Sequence, residues 1–159
     1  MDNDKFYYKK LKETEKNSPC HSRKVVAILV NSNNQIIGSN LIIGMGWNAP
    51  LNSEMICKNS CYKRSLGYKS GEGFEVCPAI HAEVRCIASA AYRGEATAGG
   101  TLYISTCIPC KHCLRLIIMA GISEIVCEEY EFYDEKSKLI VEAHKKDLKI
   151  RTFNIEEVE

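Results

Sequence analysis

Two short segments, His81-Ala82-Glu83 and Pro109-Cys110-Lys111-His112-Cys113, constrain this chain more than any other feature. Each falls at the start of a stretch with helical spacing, and each of those helices abuts a strand. Cysteines three apart at a helix start share a face and can direct both sulfurs at one metal. The positive end of the helix dipole also favours the thiolate form that zinc requires. Adding His81 gives three protein ligands and leaves the fourth tetrahedral position to water, which is the catalytic rather than the structural arrangement. Glu83 is the acid/base candidate beside such a site. Residues two apart in a regular helix diverge by about 200°, so His81 and Glu83 can serve one site only at the helix end. Cys107 makes a second, overlapping Cys-x-x-Cys with Cys110. The Pro-Cys register selects Cys110 and Cys113, and leaves Cys107 to line the pocket or to pack.

The surrounding pattern predicts the frame that carries these segments. Residues 5–16 read as an amphipathic helix ended by Ser18-Pro19, and KVVAILVN (24–31) as a strand. A turn at Ser32-Asn33-Asn34 leads to a glycine-interrupted strand over 35–48. The stretch 49–77 has little periodicity, contains three cysteines, and reads as a long loop inserted in the domain. Helical spacing returns over 79–93, with Val84, Ile87, Ala88 and Ala91 expected on the inner face. A strand at 101–106, a helix at 109–120, a strand at 122–127, a helix at 134–146 and a strand at 148–154 complete the order. A hairpin followed by alternating helices and strands indicates an α/β layered sheet in one domain, residues 1–159, with parallel pairing at each helical crossover.

Composition narrows the class. The chain has 21 basic and 20 acidic residues, a net charge of +1 that gives no support to polynucleotide coating. The N-terminal MDNDKFYYKK has no apolar h-region, and no apolar run approaches the roughly 20 residues of a membrane span. A cytoplasmic protein without a membrane partner is expected. Nine cysteines in a reducing compartment suit metal ligation better than disulfides.

Zinc nucleobase deaminases carry His-x-Glu followed by Pro-Cys-x-x-Cys, with the glutamate acting as acid/base and not as a ligand. Residues 81–113 match that signature in full. The chain resembles the deoxycytidylate deaminases and the related late-competence deaminases of the cytidine deaminase-like superfamily, from about Ser18 to Ile125. The resemblance rests on Cys20-x-Ser22-x-x-Val25-x-Ala27, Gly46-Trp47-Asn48, CPAIHAEV, TLYIST, PCKHC and IIMAGI. It implies a three-layer α/β/α fold with a central five-stranded mixed sheet, usually assembled as homo-oligomers. It also implies hydrolytic removal of the 4-amino group of a free cytosine nucleotide such as dCMP. In that reaction one catalytic zinc on His81, Cys110 and Cys113 activates water, and Glu83 moves the protons.

By the same resemblance Asn48 contacts the sugar or phosphate. Two positions depart from the family pattern: Ala49 stands where a glycine is common, and Arg85 where an asparagine is common. Arg85 either reads the substrate or points to solvent. Cys20, Cys57, Cys61 and Cys77 flank the odd loop and offer a second, structural zinc site, with His21 or a water able to replace one thiolate. Related deaminases hold a second zinc with residues from these regions. The other reading is four reduced cysteines packing as small hydrophobes. Cys86 and Cys127 fall in apolar patterns and read as core. Arg23, Lys24, Lys63 and Arg64 are phosphate candidates by charge, and Tyr130 and Tyr133 either stack on a base or pack. Two further readings compete: deamination of a base within RNA or single-stranded DNA, and a non-catalytic zinc module, which would have no need of Glu83.

Overall fold

A computed structural model describes residues 3–31, 41–51, 57–69 and 72–153. The element order is α1 (Asn3–Thr14) followed by a 3-10 turn (Glu15–Asn17), β1 (Val26–Asn31), β2 (Leu41–Trp47), α2 (Tyr62–Ser65), α3 (Ala82–Tyr92), β3 (Thr101–Ile108), α4 (Lys111–Met119), β4 (Glu124–Phe132), α5 (Glu135–His144) and β5 (Lys149–Thr152). The strands form one five-stranded sheet in the order β2-β1-β3-β4-β5. β1 pairs antiparallel with β2 and β3, while β3–β4 and β4–β5 are parallel, each across a helical connection. This is the mixed sheet expected from the sequence.

Strand β1 shows why the fold has three layers. Its VAILV run is buried at every residue, and the side chains alternate between two cores. Ala27 and Leu29 join Leu102, Ile104, Ile125 and Cys127 against helices α3, α4 and α5. Val26, Ile28 and Val30 join Tyr103, Val126 and Phe153 against Tyr7 and Leu11 of α1. A strand buried on both faces reads as a continuous apolar run, which KVVAILVN is. Helix α1 is further pinned by Asp4, which pairs with Arg151 of β5, while Arg151 Nε donates to Glu124 at 3.0 Å. Cys86 and Cys127 are fully buried core residues, as their patterns suggested.

Three expectations need correction. Strand β4 runs on to Phe132, five residues past its apolar part, because β3 extends to Ile108 and continues the ladder through Cys107–Glu129 and Ile108–Phe132. The inner face of α3 is Ala82, Cys86 and Ala90, with Val84 and Ile87 only partly buried and Ala88 and Ala91 exposed. The small side chains go inward because β2 lies unusually close. A Cβ placed on Gly46 would stand 2.5 Å from the Ala82 carbonyl and the Cys86 nitrogen, and one on Gly44 would stand 2.5 Å from the Cys86 carbonyl. Helix α3 itself begins at Ala82, not at Ala79, since Ile80 forms an antiparallel bridge with Ala49. The turn at 32–34 and the first part of the strand expected over 35–48 lie outside the described residues. Among the described residues no helix is long and apolar enough to cross a membrane.

Candidate active site

The helix starts that carry the two sequence segments meet at the edge of the sheet. His81 and Cys110 are the N-cap residues of α3 and α4, both with extended backbone (φ −64°, ψ 150° and φ −64°, ψ 161°). Cys113 is the third residue of α4. Because His81 stands just outside the helix and Glu83 just inside it, the two side chains escape the divergence of a regular helix and reach one site. The bridge between Ala49 and Ile80, with N–H···O distances of 3.2 and 2.9 Å, holds the approach to His81 in place. The Gly44 and Gly46 contacts hold the helix behind it.

His81 Nδ1 lies 3.6 Å from Cys110 Sγ and 3.4 Å from Cys113 Sγ. Zinc bonds of about 2.0–2.1 Å to nitrogen and about 2.3 Å to sulfur, at the tetrahedral angle, place such atoms about 3.6 Å apart. Both nitrogen–sulfur edges therefore match a zinc site, and the triad is the one group of three or more metal-ligating side chains gathered within 4.8 Å among the described residues. The two sulfurs share one proton between them. The hydrogen bond from Cys113 pulls the Cys110 thiol down to about 4 against the opposing effect of burial, with further help from His81. Cys113 is pushed up by its bond to Cys110, by burial and by Glu83. His81 is raised chiefly by its bond to Cys110. Glu83 is 5% exposed, and burial raises its carboxyl above the usual range, with partial compensation from its own backbone N–H and from His81.

His81, Cys110 and Glu83 line a cleft that also includes Arg23, Asn48, Lys63, Phe74, Cys107 and Tyr133, while the fully buried Cys113 borders a neighbouring groove. Asn48 has most of its amide committed: Oδ1 accepts from Ser18 Oγ (2.7 Å) and the Val25 N–H (2.9 Å), and Nδ2 donates to the Arg23 carbonyl (2.8 Å). One N–H is left to face the cleft. Arg85 is not among the residues lining the cleft. It is half-buried against β2 and donates from Nη2 to the Pro50 carbonyl at 3.0 Å, while its buried Nε has no partner among the described residues. The sequence alternatives of a phosphate reader and a solvent-facing side chain therefore give way to a tether for the chain that follows β2.

The candidate phosphate residues separate in the same way. Arg23 lines the cleft, with Nη1 donating to Thr106 Oγ1 at 3.2 Å, and Lys63 lines it from α2. Arg64 instead donates to Ser22 (3.3 Å), and Lys24 borders a different groove with Cys20, His21 and Cys57. Tyr130 is exposed and packs edge-on to Phe132. Tyr133 enters the cleft, where burial and then the Cys110 and Cys107 sulfurs push its hydroxyl up to about 12. Cys107, 6% exposed, lines the cleft as well.

Cys20, Cys57, Cys61 and Cys77, the alternative second metal site, are not gathered as His81, Cys110 and Cys113 are. Cys20, Cys61 and Cys77 line the cleft, and Cys57 is buried beside His21, whose Nε2 is 2.9 Å from the Cys57 carbonyl oxygen. No three of these side chains bring their ligand atoms within 4.8 Å of one another. Sequence reasoning also passed over Phe74. Its ring packs on Tyr133 (centroids 5.4 Å apart) and carries the Lys63 ammonium at 5.0 Å, so it joins three parts of the cleft wall. A large apolar residue directly after the polar run Lys69–Gly73 was the available signal, since it needs a partner.

A mixed sheet that brings a histidine, two cysteines and a buried glutamate to neighbouring helix starts defines a zinc-binding type of α/β domain. The chain belongs to the family described as the cytidine and deoxycytidylate deaminase zinc-binding region, whose sequence model matches residues 1–129. Deoxycytidylate deaminases of Enterobacteria phages T2 and T4 are 42% identical to it over 53 residues, which cover 33% of this chain and 28% and 27% of those proteins. The matched segment thus spans little more than a quarter of the relatives' length. The crystal structure of the dCMP deaminase of cyanophage S-TIM5, in complex with dCMP and dUMP, superposes with a TM-score of 0.67 at 20% identity, covering 96% of this chain and 98% of that one. A diaminohydroxyphosphoribosylaminopyrimidine deaminase/reductase from Thermotoga maritima superposes with a TM-score of 0.58 at 23% identity over 97% of this chain and 37% of its own. These two likenesses establish the cytidine deaminase-like fold.

Proposed function

We propose that this chain deaminates a free cytosine nucleotide by hydrolysis, with dCMP as the substrate and dUMP and ammonia as the products. The observation that carries the reading is Glu83, a carboxyl 5% exposed, held beside a triad of zinc dimensions at the end of an open cleft. A purely structural metal site has no use for it. Zinc held by His81, Cys110 and Cys113 supplies a Lewis acid that makes water nucleophilic near neutral pH. Glu83 takes the proton that water releases and gives it to ring N3 as the new C4–O bond forms. It then takes the proton of the new C4 hydroxyl and passes it to the exocyclic nitrogen; as the C4 carbonyl forms the C4–N bond breaks, and ammonia leaves a uracil ring behind. A carboxyl raised by burial suits both halves of that transfer, because its proton affinity lies nearer to the working pH. Asn48 offers its remaining N–H to the sugar or phosphate. The relatives named deoxycytidylate deaminase, and the solved dCMP deaminase with dCMP and dUMP bound, support the choice of nucleotide.

A panel of cytosine, cytidine, deoxycytidine, CMP, dCMP, dCTP and a cytosine-containing oligonucleotide, scored for ammonia release, tests this reading. The zinc-loaded protein is expected to act best on dCMP. Glu83→Ala is expected to lower that rate about 10²–10⁴-fold. A panel without turnover, or a Glu83→Ala protein as fast as the wild type, sinks it.

A further inference from the structure

Lys63 is the least ordinary charge in the molecule. It is 6% exposed, it lines the cleft, and among the described residues it forms no ion pair with a carboxylate. Its ammonium rests 5.0 Å from the centre of the Phe74 ring. A cation over an aromatic face gains some stabilisation, but less than a full counter-charge provides, and buried charges are normally paired. The residue is also positioned from behind, since the Lys63 carbonyl accepts from the Leu66 and Tyr68 N–H groups at 3.2 and 3.4 Å. Arg23 adds a second positive charge to the same cleft, and Glu83 is the single carboxylate among the described residues that line it. The cleft therefore carries metal-ligating and proton-transfer groups on the helix starts α3 and α4, and on the inserted segment a cation with no carboxylate partner among the described residues.

We propose that Lys63 reads the phosphate of the substrate and sets a preference for a nucleoside monophosphate over the free nucleoside. This rests on the deaminase reading above and adds to it the residue that selects among cytosine compounds. A phosphomonoester brings a counter-charge that none of the described carboxylates gives Lys63, and its dianion engages Arg23 at the same time. Phe74 keeps the lysine stem in place, and its contact with Tyr133 ties that position to the far wall of the cleft.

The test compares wild type, Lys63→Met and Lys63→Arg as zinc-loaded proteins, in turnover of dCMP, deoxycytidine and a single-stranded oligonucleotide, and in calorimetric binding of dUMP and deoxyuridine. Lys63→Met is expected to lower the ratio of kcat/KM for dCMP over deoxycytidine about 10–100-fold, mainly through KM, the span that loss of a hydrogen bond to a charged group predicts. Binding of dUMP weakens by a similar factor relative to deoxyuridine. Lys63→Arg, which keeps the charge, retains most of the ratio. An unchanged ratio, or equal losses for both substrates, overturns the proposal, the second result making Lys63 merely structural. A Lys63-dependent preference for the oligonucleotide over dCMP overturns it in favour of a polynucleotide substrate. If the wild type turns over nothing yet binds dUMP more tightly than deoxyuridine through Lys63, the phosphate site stands and the deamination reading falls. If it turns over deoxycytidine as well as dCMP, deamination stands and Lys63 loses its role.

Discussion

The helix-start side of the cleft and the side supplied by residues 57–77 are built on different principles. On the first, His81, Glu83, Cys110 and Cys113 hang from the starts of two helices, α3 packed closely on β2 at Gly44 and Gly46, and α4 set in the core by Cys113, Leu114 and Ile117. Their positions follow from hydrogen-bonded main chain, so their geometry is insensitive to most side-chain changes. On the second, α2 spans four residues, and Lys63 and Phe74 are held largely by each other and by the contact of Phe74 with Tyr133 across the cleft. Chemistry needs atoms placed within tenths of an ångström, which regular elements supply. Choice of substrate tolerates a looser wall, and can change while the reacting centre stays the same.

That contrast can be broken or sharpened by substitution. The largest effect belongs to a metal ligand: Cys113→Ala is expected to abolish both zinc retention and ammonia release, measured by metal analysis and by assay of the same sample. The wild type should carry about one zinc per chain, and about two would show that Cys20, Cys57, Cys61 and Cys77 close around a metal after all. Next comes the backbone support of that side. Gly46→Val drives a side chain into the Ala82 carbonyl and the Cys86 nitrogen, and should destabilise the fold by about 1–3 kcal/mol in a denaturant titration while also lowering zinc content. Smallest is the effect on the other side. Phe74→Ala removes a ring contact of about 0.5–1.5 kcal/mol. It should raise KM a few-fold, with zinc content and thermal midpoint close to wild type. If Phe74→Ala lost zinc, or Gly46→Val kept it fully, the division between the two sides would not hold.

Much of the reacting centre was legible before any coordinates. His-x-Glu and Pro-Cys-x-x-Cys are local patterns at predicted helix starts, and the requirement that His81 and Glu83 share a site already placed His81 at a helix end. Both cysteines outside the motif that fall in apolar patterns, Cys86 and Cys127, went to the core. The selecting side was not legible. Lys63 and Arg64 are adjacent and alike in charge, yet one is buried in the cleft and the other donates to Ser22 at the surface. No periodicity in 49–77 distinguishes them. Arg85 was undecided for a related reason: a residue in the first turns of a helix faces a direction set by what packs beside it, here β2 and Pro50.

The order of elements, the pair of helix starts and the residue types able to hold a metal and move a proton were already in the sequence. These are properties of neighbours along the chain: alternation, helical spacing, caps and ligand chemistry. Only the tertiary structure decided that His81 Nδ1 stands 3.4 to 3.6 Å from two sulfurs, that Lys63 is buried beside Phe74, and that the four other cysteines do not converge. Those facts depend on contacts between residues 29 to 32 positions apart, or between α2 and an irregular segment 11 positions further on. Spacing along a chain carries no information about how closely β2 lets α3 approach. Two glycines settle that distance, and the site follows from it.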